Sequence, residues 1–172
     1  MGSALQALMF LKKRKMVFRN LQSGNVIFHM GAYRLTGMEN VYFGHTVTKH
    51  NLVLKALEKT KGDSLSWDYD VICFGRMLFE MALGYELRSS LPDVEQLVGK
   101  CEYQIIEILI IIFFHPDSRV PSLEELFEQP LFAKVPCPEL ARYLAAPMMN
   151  TEEVKKILKA GKKNRPYGKK KR

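Results

Sequence analysis

The sequence predicts a mainly α-helical domain carrying one short β-hairpin, and three observations lead there. Asp68 to Leu83 is apolar on nearly every side, through Val71, Ile72, Phe74, Met77, Leu78, Phe79 and Met81. A helix apolar all round sits at the centre of a core. Ile105 to Phe114 is a second dense apolar run, interrupted only by Glu107. Val26-Ile27-Phe28 and Tyr33-Arg34-Leu35 lie on either side of Gly31 and predict two short strands joined by a glycine turn. At 172 residues and 47% apolar, the chain can build one core of ordinary size.

In chain order, residues 3–14 place Leu5, Leu8, Met9, Phe10 and Leu11 mainly on one face. This helix stops in Lys12-Lys13-Arg14-Lys15, cations that complement the carbonyl end of its dipole. Met16-Val17-Phe18 and a loop through Gly24 lead to the hairpin. Residues 41–65 are polar and mixed, with one short helix at Leu52 to Lys59 and a turn at Gly62-Asp63-Ser64. Trp67 and Tyr69 pack at the entry to the central helix. Asp93 to Lys100 predicts a further helix, Ile105 to Phe114 the next, and Pro121 to Phe127 a fourth. Ser122 is the N-cap of that last one, and Glu125, three residues on, completes a capping box. Pro136, Pro138 and Pro147 mark an extension, after which Thr151 caps a final helix to Ala160. Gly161 ends it, and Lys162 to Arg172 reads as disordered. The organisation expected is a folded lobe over 1–135, a Pro-containing extension over 136–153 and a basic helix and tail over 154–172, with no internal repeat.

The net charge of +8 is confined to that tail. Ten of the 26 basic residues and none of the 18 acids fall within 154–172, so the remaining sixteen cations leave residues 1–153 at −2. Val154, Ile157 and Leu158 with Lys155, Lys156 and Lys159 form one amphipathic basic helix. Lys162, Lys163, Arg165, Lys169, Lys170, Lys171 and Arg172 follow. Three uses compete: a solvated tail, contact with an anionic membrane surface or acidic partner, and a nuclear address with weak nucleic-acid affinity. Tyr167 is the tail's one aromatic, so no stacking surface for bases is built, and membrane or acidic-partner contact ranks ahead of nucleic acid.

Cys73, Cys101 and Cys137 are odd in number and widely spaced, which argues against a disulfide framework or zinc site and for a reducing compartment. The expected location is cytoplasmic and, through the tail, membrane-peripheral. Ala4 to Leu11 is followed rather than preceded by its cations, unlike a signal peptide. Gln6 stands where a myristoylation motif wants Ser or Thr. No run approaches the roughly 20 apolar residues of a membrane-spanning helix. His29, His45, His50 and His115 lack metal spacing and take surface or core roles; Met148-Met149 reads as packing.

Five ordered segments carry a resemblance. Arg19-Asn20-Leu21-Gln22-Ser23-Gly24-Asn25-Val26 is similar to the protein kinase catalytic loop, and Gly37-Met38-Glu39 falls where D-F-G stands. Ala56-Leu57-Glu58 resembles A-P-E. Asp70-Val71-Ile72-Cys73-Phe74-Gly75 with Leu78-Phe79-Glu80-Met81 is similar to the opening of the central kinase helix. His115-Pro116-Asp117-Ser118-Arg119-Val120-Pro121-Ser122, with Pro130-Leu131-Phe132, is similar to the family's C-terminal motifs. The chain thus resembles a protein kinase C-terminal lobe with the N-lobe absent. Within that family it is most similar to the Slowpoke-binding protein and PX-domain-containing kinase-like group.

Phosphoryl transfer is mostly positioning and charge stabilisation, so its parts can be inventoried. The base position is Asn20, whose amide takes no proton near pH 7; the loop Lys position is Gln22; the metal-binding Asp is Gly37. No residue is catalytic on this reading. Asn25 stands where a second metal ligand belongs, and the neighbouring Glu39 is the other residual candidate for Mg²⁺. No cofactor is expected, ATP and Mg²⁺ entering only in a longer form. The structural residues remain: Phe18 and Met38 at positions of the internal hydrophobic column, Asp70 accepting from backbone amides of the Arg19-Asn20 loop or else capping its own helix, and Glu58 with Arg119 as a buried ion pair whose breaking unfolds the lobe. The resemblance therefore implies a binding or scaffolding module without phosphotransfer, regulating a membrane protein such as a calcium-activated potassium channel. Weak serine/threonine kinase activity in a longer product with an N-lobe, and a truncated product with no function of its own, are the rivals.

Overall fold

A computed structural model describes residues 2–29 and 31–133. The extension, the basic helix, the tail and Cys137 lie outside those residues, and with them the expected divisions of the chain. Helix α1 spans Gly2–Lys13, strands β1 and β2 span Val26–His29 and Ala32–Leu35, and α2 is one turn at Asn40–Phe43. Then come α3 (His50–Thr60), α4 (Asp68–Leu83), α5 (Tyr103–Phe113), α6 (Leu123–Phe127) and α7 (Pro130–Ala133).

The two strands pair antiparallel, Val26 opposite Leu35 and His29 opposite Ala32, around Gly31 at φ 78°. One edge of the hairpin is met by α1, where the Tyr33 amide donates to Ser3 Oγ at 3.3 Å. Helix α4 is buried from Tyr69 to Phe79 and forms the axis of the core, with α3 and α5 packed against it. Gly75 permits the approach of α5: a Cβ there would lie 2.8 Å from Phe113 Cε2 and 2.9 Å from Ile112 Cγ2. Helix α7 closes one side, Phe132 meeting Phe74 edge-on at 5.8 Å. Trp67, at the entry to α4, donates from Nε1 to the Met16 carbonyl at 3.3 Å.

One expectation about the elements needs correction. Asp93 to Lys100 forms a 3₁₀ turn over Glu95–Leu97 and no α-helix. Asp93 spends its carboxylate locally, accepting from the Glu95 amide at 3.1 Å and the Gln96 side chain at 2.8 Å, and Gly99 ends the turn at φ 79°. Such side-chain bonds offer the backbone an alternative to the helix ladder. Met16–Phe18 lies outside both strands, and its last amide donates to Asp70 of α4. The turn α2 is an addition, closed by Gly44 in the left-handed region.

Candidate functional site

The site is built on Asp70, the third residue of α4 and 1% exposed. Its two carboxylate oxygens accept from the backbone amides of Phe18 at 2.8 Å and Arg19 at 2.7 Å. Burial pushes its pKa up to about 6, while the two amides and the Arg19 charge pull the other way. The N-cap position of α4 belongs to Trp67, so Asp70 does not cap its own helix. Arg19 sits at φ 59°, a left-handed conformation that non-glycine residues seldom adopt. Its carbonyl accepts from the Val47 amide at 3.2 Å, and its guanidinium reaches the Ser64 carbonyl at 3.5 Å. One strained residue is thus tied to α4, to the segment entering α3 and to the turn after it.

The loop beyond is also internally bonded. Asn20 is buried, and its carbonyl accepts from Asn25 Nδ2 at 2.8 Å. The Asn25 carbonyl in turn accepts from the Thr36 amide at 2.9 Å, joining the loop to the end of β2. Gly37 follows at φ 72°, and its carbonyl accepts from Asn40 Nδ2 at 2.8 Å. A Cβ built on Gly37 would lie 2.8 Å from that same Asn40 nitrogen and 3.7 Å from Asn25 Oδ1. The space that a side chain at Gly37 would need is therefore filled by the Asn40 amide. Glu39 is exposed.

This arrangement does not fit a phosphate-bound Mg²⁺. Gly37 offers no oxygen side chain, and the group filling its space is the Asn40 N–H, which repels a cation; Asn25, whose nitrogen donates to the Asn20 carbonyl, keeps Oδ1 as a single oxygen beside it. No group of three or more His, Cys, Asp or Glu side chains able to hold a metal occurs among the described residues. Gln22 lines a small open cavity with Leu21, Val47, Lys49, Arg76 and Leu87. Phe18 is fully buried and Met38 packs half-buried against the core.

Arg119 does not pair with Glu58, which is exposed on α3. Its guanidinium grips Glu125 at 2.6 and 2.8 Å, with Asp117 at 3.7 Å. The reason is proximity: Glu125 is held six residues away by the capping box of α6, its carboxylate also accepting from the Ser122 amide at 2.7 Å. The pair is 43% and 44% exposed, so the buried ion pair expected here is absent. The Arg119 side chain and the Ser122 amide hold the Glu125 carboxyl at about 2, well below the usual range.

Two features went unread in the sequence. Arg76 lies within the apolar run of α4, 9% exposed, and donates to the Ser89 carbonyl at 2.7 Å and to the Leu87 carbonyl. A lone cation in an otherwise apolar helix was the available signal, since a buried charge must find partners. His50 Nδ1 meets the Tyr69 hydroxyl at 2.7 Å, joining α3 to α4 where sequence spacing suggests nothing.

A mainly helical lobe with one antiparallel hairpin and a loop hung on a buried helix carboxylate is compatible with the class of kinase-like C-lobes. No protein-family model matches the chain. It is 36% identical over 146 residues to Slowpoke-binding protein of Drosophila melanogaster, covering 79% of this chain and 27% of that protein. It is 30% identical over 130 residues to "Probable inactive serine/threonine-protein kinase slob2" of Dictyostelium discoideum, covering 75% and 21%, and 27% identical to slob1 of the same organism. These relatives support the Slowpoke-binding, inactive-kinase-like group. It spans about a quarter of the length of the curated relatives it matches.

Proposed function

We propose that this chain is a non-catalytic binding module of kinase-like form that scaffolds a protein partner and takes no part in phosphotransfer. The observation that carries the reading is the contrast within one loop. The structural carboxylate Asp70 keeps both its amide partners, while the Gly37 position is filled by the Asn40 amide. A loop positioned this firmly without a base or a metal ligand is suited to presenting a surface. The names of the relatives in the two organisms, one for binding Slowpoke and two for being inactive kinases, favour the same reading.

The partner proposed is the cytoplasmic part of a Slowpoke-type calcium-activated potassium channel, whose activity the module would adjust. The test is isothermal titration of the chain against that channel segment, with and without Mg·ATP, alongside transfer of labelled phosphate to the segment. Saturable binding that nucleotide leaves unchanged, with no label incorporated, is the expected result. Label transferred to the segment and lost in Asn25→Ala would overturn the non-catalytic reading.

A further inference from the structure

The stretch from the end of α4 into α5 has an unusual surface. Residues 80–107 hold six acids and two cations, a local balance of −4 in a chain of +8. Glu95, Glu102 and Glu107 make no side-chain ion pair among the described residues. Helix α5 turns a stripe outward at helical spacing: Tyr103 is 73% exposed, Glu107 is exposed, Ile110 is 38% exposed and Phe114, just past the helix end, 41%. An outward stripe of three large apolar side chains set among acids asks for a cover that is both apolar and basic.

The same chain contains such a segment. Residues 154–172 hold ten cations and no acid, with Val154, Ile157 and Leu158 at the spacing of one helix face. The chain leaves the described lobe at α7, which packs against α5. Twenty residues, 134–153, intervene. Extended, they reach up to about 65 Å, well beyond the radius of gyration of about 14 Å for a compact lobe of this size.

We infer that the basic segment 154–172 docks in cis on the outer face of α5, its apolar residues on Tyr103, Ile110 and Phe114 and its cations on Glu102 and Glu107. The tether makes weak contacts count. A contact of about 0.1 mM in trans is about tenfold occupied at an effective concentration of about 1 mM. The docked state covers the α5 face and withholds the ten cations from any other anionic surface. Phosphate groups or acidic partners that compete for those cations would release both together.

The test is tryptic cleavage of the full chain after the lysines of 155–172, read by mass spectrometry, with a synthetic peptide of residues 151–172 as the rate standard in the same tube. At low salt the tail should be cut about tenfold more slowly than the peptide, because cleavage tracks the open population. Near 1 M salt, where the Debye length falls to about 3 Å, protection should largely vanish. Glu102→Lys with Glu107→Lys, both at exposed positions, should abolish protection while leaving the thermal melt in place. Equal cleavage of tail and peptide at every salt, or protection that survives the double reversal, overturns the inference. Protection that rises with protein concentration also overturns it, assigning the tail to a second copy.

Discussion

Asp70 is 1% exposed, and its burial outweighs the two backbone amides it accepts from, so its energetics run against the usual carboxylate pattern. Its folded pKa, about 6, lies above the unfolded value of 3.8. The folded state therefore holds the proton more tightly, and the stability Asp70 contributes is largest below about pH 4 and falls as pH rises to about 6. The span corresponds to something of order 3 kcal/mol. Asp70→Asn keeps one acceptor but turns an N–H toward the second amide, leaving a buried donor unmet at a cost of about 1–3 kcal/mol. Urea unfolding of both proteins should show the wild-type advantage shrinking between pH 4 and pH 7; a constant difference would mean that another group titrates. Gly37→Asp is the complementary case. It restores the residue of a metal site on paper but forces a side chain into φ 72° and against Asn40 Nδ2 at 2.8 Å. A loss of about 1–2 kcal/mol with no Mg²⁺-dependent rise in melting temperature is expected. The amide-accepting carboxylate was legible in part: the resemblance pointed Asp70 at the Arg19-Asn20 loop, and the structure gives it the amides of Phe18 and Arg19, with none from Asn20. The partner of Arg119 was not: family position named Glu58, whereas the fold places Glu125 within reach first.

At the scale of elements, α6 is five residues long and owes its start to a side-chain box. Ser122 Oγ accepts from the Glu125 amide at 3.1 Å, and the Glu125 carboxylate accepts from the Ser122 amide at 2.7 Å. Ser122→Ala should cost about 1 kcal/mol. Glu125→Ala should cost more, because it also releases Arg119, and a pair of urea titrations orders the two. The folded pKa of Glu125, about 2, is depressed, so its contribution is present above about pH 4.5 and fades as pH falls toward 2. Solvent screening keeps it smaller than an equal shift at a buried site. Across α4, Gly75→Ala inserts a methyl against Phe113 and Ile112 at under 3 Å, an overpacking that costs about 1–3 kcal/mol by the same measurement. The bounds of α4 and the cap of α6 were legible because periodicity and capping are local signals. The 3₁₀ turn at Glu95–Leu97 and the one-turn α2 were not, since Asp93 and Gly44 decide them by side-chain bonding and backbone handedness that propensity does not resolve.

For the whole molecule, the decisive quantity is whether nucleotide couples to folding. Binding to the native state alone at about 100 times Kd stabilises by about 2.7 kcal/mol. In a domain of this size each kcal/mol moves the melting temperature by roughly 2–4 °C, so a working site would shift the transition by about 5–10 °C. The described lobe offers a loop whose polar groups already bond one another: Asn25 to Asn20, Asn40 to Gly37, Asp70 to Phe18 and Arg19. A phosphate–metal complex would meet the Asn40 N–H and no carboxylate at Gly37. Calorimetric melts with excess Mg·ATP are therefore expected to superimpose on those without it. A shift of 5 °C or more would require a ligand set that includes Glu39 and Asn25 Oδ1, and Glu39→Gln should then remove it. An unmoved transition directs the search to protein partners, where the Asp70 loop and the acidic, apolar face of α5 can be tested separately by substitution.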